Sequence, residues 1–300
     1  MPHPIGISED GQAVFESPLT RETGQTMVLI ECMATSSVQP FAVVTGASRG
    51  IGAAYACALA KRGYDLLLVA RDGERLWGLA SKLAEQHHVN VEVEILDLAN
   101  PQAAHQLYAA ARRRREGVDL LINNAGFGLF GSFVDMPMAR IEDMLRLHVN
   151  TIVEAVRLFL PDMLHRHSGG IINVASVAGL FTVPYFAEYA ATKTFLITFS
   201  EALAEEVRPF GIHIQACCPG TTETDFHRTA GVRPRYPLGS QTPDEVVAVS
   251  LEKLARGPSL LITDWKGRLL AVLNRCIPRW LMIKTAARWM KPATEGRPYL

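Results

Sequence analysis

The sequence has little of what a secreted, metal-binding or membrane-spanning protein needs. Five cysteines, an odd number, are spread over 300 residues, and none lies in a C-x-x-C or Cys/His spacing typical of a metal site. We therefore expect no metal and no disulfide framework, and reduced thiols indicate a cytoplasmic location. No apolar run approaches the roughly 20 residues that a membrane-spanning helix needs, and the N-terminus lacks a basic region followed by a long apolar one.

Net charge is also missing. Thirty basic and thirty acidic residues cancel, so no global field attracts nucleic acid. With 48% hydrophobic residues, the chain can bury one large core. Residues 1–38, which mix Pro, Gly, Ser, Thr and acids, are predicted to be a disordered N-terminal extension. Met27 and Met33 are alternative start codons that would explain this extension without a function.

From Phe41 onward, short aliphatic runs alternate with amphipathic stretches of helical length. Runs such as DLLLVA are apolar on successive residues, which is typical of a parallel sheet covered on both faces. The pattern predicts a single α/β domain over residues 39–263, a doubly wound, Rossmann-type sheet of seven parallel strands with helices on both faces. The predicted strands are 41–45, 65–70, 91–96, 119–123, 169–175, 212–217 and 259–263. The predicted helices are 50–62, 73–87, 101–115, 137–166, 187–209 and 243–256.

A glycine-rich turn follows the first strand in the segment FAVVTGASRGIG, residues 41–52. Gly46, Gly50 and Gly52 carry no Cβ, so the chain can turn tightly and a pyrophosphate can approach the backbone at a helix N-terminus. Because the segment runs from strand to turn to helix, it predicts a dinucleotide site.

The spacing T-G-x-x-x-G-x-G, with the motifs that follow it, resembles the short-chain dehydrogenase/reductase family over roughly residues 41–258. The further motifs, in family order, are Asp97-Leu98, Asn123-Asn124-Ala125-Gly126, Asn150, Ser176, Tyr189-x-x-x-Lys193 and Pro219-Gly220. The resemblance implies cofactor contacts from Gly46, Ser48, Arg49, Gly50, Ile51, Gly52, Arg71, Asp97, Leu98, Asn124, Ala125, Gly126, Tyr189, Lys193, Pro219, Gly220, Thr222 and Thr224. Thr221 is an alternative to the last two, and Asn123 and Asn124 fit a structural role equally well.

The end of the second strand indicates which cofactor is bound. An NAD enzyme usually presents a carboxylate there to the ribose 2′-hydroxyl, whereas this sequence has Ala70 followed by Arg71. Together with Arg49 in the glycine turn, Arg71 suits a 2′-phosphate. NADP(H) is therefore expected over NAD(H), and Asp72 is expected to cap the next helix.

Tyr189 is the candidate proton donor for reduction of a carbonyl. An unperturbed phenol has a pKa of about 10, so we expect Lys193, one helical turn away on the same face, to stabilise the phenolate. The resemblance implies that Ser176 polarises the carbonyl. It also implies that the backbone carbonyl of Asn150 holds a water that connects the lysine to solvent.

The expected substrate is a small apolar carbonyl or alcohol, because apolar residues, most of them aromatic, follow the catalytic motifs. They are Phe127, Phe130, Phe181, Pro184, Tyr185, Phe186 and Phe226. Each of them alone fits ordinary core packing equally well. The loop 225–241 contains three arginines and His227, which would suit a coenzyme A thioester or belong to a mobile lid.

Residues 264–300 form a basic C-terminal appendage, with seven basic side chains and one acid between Asp264 and Lys291. Residues 279–291 are predicted to be a cationic amphipathic helix. It fits packing onto the domain or self-association, and it also fits peripheral membrane contact. A homodimer through helices 137–166 and 187–209 is expected.

The predicted function is NADPH-dependent reduction of a ketone, aldehyde or 3-oxoacyl thioester to an alcohol, or the reverse. The alternative is a non-catalytic NADPH-binding sensor or scaffold recruited by the basic C-terminal helix. The glycine spacing, and the absence of a separate substrate domain, disfavour a sugar epimerase or dehydratase.

Overall fold

A computed structural model describes residues 39–230 and 239–294. Its seven strands form one parallel sheet with the order β3-β2-β1-β4-β5-β6-β7. The strands are β1 Phe41–Thr45, β2 Asp65–Ala70, β3 Val91–Ile95, β4 Leu120–Asn123, β5 Gly169–Val174, β6 Ile212–Cys218 and β7 Leu260–Ile262. The predicted doubly wound α/β sheet is confirmed. The predicted extension 1–38 lies outside the described residues.

The helices follow the strands closely along the chain. They are α1 Gly50–Ala60, α2 Gly73–His87, α3 Ala103–Arg114, α4 Met138–Leu145, α5 Thr151–Arg166, α6 Ala187–Val207, α7 Phe226–Thr229, α8 Pro243–Lys253, α9 Trp265–Cys276 and α10 Arg279–Thr294. Two differences from the predicted helices matter. The predicted helix 137–166 is interrupted by a π-helical turn at Arg146–Asn150, and α9 precedes the predicted C-terminal helix.

Two hydrophobic cores explain why the strands are apolar on successive residues. Val43 and its neighbours in adjacent strands pack with α3, α5 and α6 on one face, whereas Val44 and its neighbours pack with α1, α2 and α8 on the other. Since successive side chains of a strand point to opposite faces, both must be apolar. The loops at the carboxyl ends of the strands are left to form a site.

Candidate active site

A cleft of about 820 Å³ lies at the carboxyl edge of the sheet, lined by residues that follow β1 to β6. It brings together nearly all of the predicted cofactor residues. Those on its surface are Gly46, Ser48, Arg49, Gly50, Ile51, Arg71, Asp97, Leu98, Asn124, Ala125, Gly126, Tyr189, Lys193, Pro219, Gly220, Thr222 and Thr224, with Thr221 beside them. Gly52 and Asn150 are not among the lining residues.

The glycine turn is closed by contacts that leave no room for side chains. Gly46 has φ +64°, and a Cβ on it would lie 2.8 Å from the Cα of Ala125. A Cβ on Gly52 would lie 2.5 Å from Nδ2 of Asn124 and closer still to the carbonyl oxygen of Gly46. Gly52 therefore packs α1 against the turn and is not among the residues that line the cleft, and its contact with the cofactor stays a prediction.

Asn124 ties the first and fourth strand ends together. Its Nδ2 donates to the carbonyl oxygens of Thr45 (2.9 Å) and Gly46 (3.2 Å), while its backbone N–H donates to Oγ1 of Thr45 at 2.9 Å. Asn123 instead donates to Oδ1 of the buried Asn173 at 2.9 Å. Both asparagines thus have structural hydrogen bonds, and Asn124 also lines the cleft.

Two arginines line the end of the cleft nearest β2, and a third lies behind them. Arg71 lies 3.5 Å from Asp97, and Arg49 lies 3.8 Å from Asp225. The third is Arg75, which the sequence pattern did not single out and which lies 3.9 Å from Asp225. Asp72 accepts the backbone N–H of Arg75 at 3.2 Å, so it caps α2 as expected.

Ser176, Tyr189 and Lys193 meet in the middle of the cleft. Tyr189 and Lys193 are 6% and 4% exposed. The side chain of Ser176 hydrogen-bonds that of Tyr189. Nζ of Lys193 donates to the carbonyl oxygen of Val174 at 2.8 Å and lies 5.6 Å from the ring centroid of Tyr189. The hydroxyl groups of Ser176 and Tyr189 and the ammonium group of Lys193 therefore lie close together in the cleft wall.

Burial is the largest influence on the pKa values of Tyr189 and Lys193. It raises the pKa of the Tyr189 phenol above its ordinary value, and the hydrogen bond with Ser176 offsets this only in part. Burial also lowers the pKa of Lys193 to about 8. Desolvation is thus the largest influence on the pKa of Tyr189, and stabilisation of its phenolate by Lys193 stays a prediction. Tyr189 consequently keeps its proton at neutral pH, as a proton donor must.

Asn150 is exposed at the last position of the π turn, and the structure does not bring its side chain to the cleft. His148, two residues earlier, is fully buried and faces α6. A π turn inserts a residue into a helix and re-aims its side chains. The inward-facing polar residue of this turn is therefore His148.

His148 links the loop after β4 to the helix that carries Tyr189. Its Nε2 accepts the backbone N–H of Phe127 at 3.1 Å, which leaves the proton on Nδ1, 3.0 Å from Oγ1 of Thr192. Thr192 in turn donates to the carbonyl oxygen of Tyr189 at 2.8 Å. Burial and, secondarily, Lys193 lower the pKa of His148 well below its ordinary value, so the ring stays neutral. No pattern in the sequence marks His148, because the π turn that buries it is visible only in the structure.

The other end of the cleft is apolar. Phe130 stacks on Phe186 with a centroid distance of 3.6 Å, and Phe186 stacks on Tyr189 at 4.2 Å. Phe226 and Met290 pack against the same cluster. Phe127, Phe130, Phe186 and Phe226 line the cleft as expected, whereas the other predicted aromatic and proline positions do not. Those are Phe181, Pro184 and Tyr185.

Met290 was not foreseen in the cleft, because it comes from α10, far from the catalytic motifs in sequence. Much of the arginine-bearing loop 225–241 stays untested, since residues 231–238 and the side chains of His227 and Arg228 lie outside the described residues. Within the described part of the chain, no cluster of three or more metal-ligating side chains occurs. None of its helices is long and apolar enough to span a membrane.

The parallel sheet, the glycine turn and the tyrosine–lysine pair define a Rossmann-type oxidoreductase. Residues 40–233 match the short chain dehydrogenase family model, which is more than half of the chain. The chain therefore belongs to the short-chain dehydrogenase/reductase family, as its motifs indicated.

Two curated relatives that cover at least two thirds of the chain carry the same name. A very-long-chain 3-oxoacyl-CoA reductase from Anas platyrhynchos is 36% identical over 217 residues, covering 70% of this chain and 67% of that protein. Its namesake from Macaca fascicularis is 31% identical over 261 residues, covering 84% of this chain and 80% of that protein.

Solved structures agree in fold and differ in cofactor. A short-chain dehydrogenase from Sphingobium yanoikuyae in complex with NADPH has a TM-score of 0.72 and 33% identity, covering 79% of this chain and 93% of that one. A family member from Burkholderia phymatum in complex with NAD also has a TM-score of 0.72, with 26% identity and the same coverage. The cofactor preference of this chain must therefore be argued from its own residues.

Proposed function

We propose that this protein uses NADPH to reduce a lipophilic 3-oxoacyl thioester, or a ketone of similar character, to the alcohol, or catalyses the reverse. The observation that carries the proposal is the position of Ser176, Tyr189 and Lys193. They lie between a glycine turn flanked by arginines and an apolar pocket. The names of the relatives favour a 3-oxoacyl thioester among such substrates.

The side chains divide the chemistry between them. NADPH, when bound, supplies the hydride. Tyr189 donates its proton to the carbonyl oxygen as negative charge develops there. Ser176, already hydrogen-bonded to Tyr189, donates a second hydrogen bond to that oxygen. Lys193 places a cation beside the phenol and lowers the cost of its losing a proton.

The turn and the arginines fit NADP(H) in particular. Gly46 packs too closely against Ala125 to carry a Cβ, and this close packing keeps the turn tight. The start of α1 lines the cleft, so a pyrophosphate can approach the backbone there. Arg49 and Arg71 supply two guanidinium groups in the cleft wall near the end of β2, and Arg75 lies 3.9 Å from Asp225 of the same wall. A 2′-phosphate suits such a cluster, because guanidinium–phosphate hydrogen bonds are charge-assisted.

Arg71→Ala tests the cofactor preference, with Arg62→Ala as the matched control on an exposed arginine outside the cleft. Loss of charge-assisted bonds should weaken NADPH binding by about tenfold to a hundredfold and leave NADH binding nearly unchanged. Fluorescence titration of both cofactors measures this. Equal losses for NADPH and NADH would remove Arg71 from phosphate recognition.

The substrate class is tested by following NADPH oxidation with short-chain and long-chain 3-oxoacyl-CoA, steroid ketones and sugars. We expect the highest kcat/KM for long-chain thioesters and a loss of turnover, with retained NADPH binding, in Tyr189→Phe. Turnover of sugars alone would contradict the apolar pocket. No NADPH oxidation across the panel would favour the non-catalytic sensor.

The predicted cytoplasmic homodimer stays a proposal. The homodimer, though not the location, is supported by Phe195 on α6, which is 40% exposed and stacks on Phe199. Light scattering of the wild type and of Phe195→Lys tests it, with Phe210→Lys as the control because Phe210 is 45% exposed outside those helices. A monomeric wild type would end this proposal.

A further inference from the structure

The C-terminal helix pair α9–α10 exposes an unusual amount of apolar surface. Sixteen large apolar side chains are exposed in the described part of the chain, and half of them lie in these two helices. The eight are Trp265, Leu269, Leu270, Val272, Leu273, Trp280, Leu281 and Trp289. A patch this concentrated is expected to contact something.

The same segment is strongly cationic, although the whole chain is neutral. Seven basic residues and one acid lie between Asp264 and Lys291. The acid, Asp264, accepts the backbone N–H of Gly267 at the start of α9. Lys266 lies 5.8 Å from the ring centroid of Trp265, and Lys284 lies 5.3 Å from that of Trp280. Adjacent tryptophans and cations are typical of helices that lie in an anionic membrane interface.

The helix pair is also fixed to the substrate end of the cleft. Nδ2 of Asn274 donates to the carbonyl oxygen of Leu180 at 3.1 Å, and Arg279 donates to Oγ1 of Thr182 at 3.4 Å. Both partners belong to the segment that follows Ser176 and supplies part of the cleft wall. Met290 reaches the cleft itself. The exposed patch therefore borders the entrance to the apolar pocket.

We propose that α9–α10 docks on an anionic lipid surface and that long acyl chains enter the cleft from that surface past Met290. The second half rests on the proposed function, and the docking does not. A second copy of this chain is a poorer occupant, because a two-fold contact would place two patches of the same positive sign against each other. Anionic lipid headgroups complement both the charge and the tryptophans.

Flotation of the full chain with phosphatidylcholine vesicles, with and without phosphatidylserine, tests the docking. The wild type should bind the anionic vesicles, and salt should weaken that binding. Lys284→Glu with Arg288→Glu should reduce it by at least about tenfold, and Trp280→Ala with Trp289→Ala should also weaken it. Trp77→Ala is the matched control, because Trp77 is a 55% exposed tryptophan on α2.

Activity on two substrates separates the two proposals. In the charge-reversed variant, turnover of a short, water-soluble 3-oxoacyl thioester should equal that of the wild type. Turnover of a long-chain thioester held in anionic vesicles should fall. Absence of vesicle binding with normal soluble turnover would overturn the docking alone. Vesicle binding without any reductase activity would overturn the proposed function alone, and loss of a dimer in the charge-reversed variant would instead assign the patch to a second copy.

Discussion

His148 shows how a single residue holds the geometry of Tyr189 without touching the reacting atoms. Through Phe127 it fixes the loop after β4, and through Thr192 it fixes the helix turn that carries Tyr189. Removing either hydrogen bond would leave a buried polar group without a partner, at a cost of about 1–3 kcal/mol. A small displacement of a proton donor lowers the rate much more than it lowers stability.

We therefore predict that His148→Leu lowers kcat by about tenfold to a hundredfold, beyond its effect on the folded fraction. His148→Gln keeps a donor and an acceptor and should retain most of the rate. Steady-state kinetics together with urea unfolding measures both effects. If His148→Leu lost stability but kept kcat per folded molecule, His148 would have no positioning role.

Lys193 makes stability depend on pH. Its pKa is about 8 in the folded protein and 10.5 as an ordinary lysine, so between these values the unfolded chain binds more protons. The wild type should therefore gain stability relative to Lys193→Met as the pH rises through this window, by at most about 1.4 kcal/mol per pH unit. Urea unfolding at several pH values measures the difference, and parallel curves for the two proteins would contradict it.

Some residues of the site could be predicted from the sequence, and others could not. Tyr189 and Lys193 were found because a separation of four residues on a helix fixes their common face. The contact of Arg75 with Asp225 and the place of Met290 in the cleft could not be predicted, since they depend on how α2 and α10 pack. The burial of His148 could not be predicted, because the π turn that turns it inward depends on tertiary contacts. The predicted role of the Asn150 backbone carbonyl stays a prediction.

At the scale of elements, local patterns predicted most strands and helices to within a few residues. The bounds of α2 were predicted correctly, with Asp72 as its cap. The break in the predicted helix 137–166 was not predicted. The apolar residues keep a helical spacing before the π turn and again after it, so the sequence pattern does not reveal the turn. The helix α9 was missed, since Gly267 in its first turn disfavours a helix while the cap by Asp264 compensates.

The first two helices offer a matched pair of glycines. Gly52 in α1 is buried against the glycine turn, whereas a Cβ on the exposed Gly78 in α2 would meet nothing within 4 Å. Gly78→Ala should raise the free energy of unfolding by up to about 1 kcal/mol through helix propensity. Gly52→Ala should lower it and abolish NADPH binding, because the turn must open.

Calorimetry of both variants, with and without NADPH, measures this pair. A thermal shift by NADPH that persisted in Gly52→Ala would mean that the turn tolerates a side chain. It would also weaken the assignment of this turn to the pyrophosphate.

At the scale of the whole molecule, the fold and family could be predicted because one ordered set of motifs spans most of the chain. Much of the site could be predicted because its motifs lie at strand ends, which a parallel sheet brings to one edge. The packing of α9–α10 beside the substrate pocket could not be predicted, since it depends on tertiary contacts such as the hydrogen bond between Asn274 and Leu180. The predicted division at residues 263 and 264 stays a prediction.

The central claim is that Tyr189 protonates a lipophilic 3-oxoacyl thioester as NADPH reduces it. The most direct measurement uses NADPH deuterated at its transferable position and follows the product by mass spectrometry. The wild type should form a 3-hydroxyacyl thioester with deuterium on the new alcohol carbon, and Tyr189→Phe should form almost none while still binding NADPH. Deuterated product formed by Tyr189→Phe at the wild-type rate would contradict the claim.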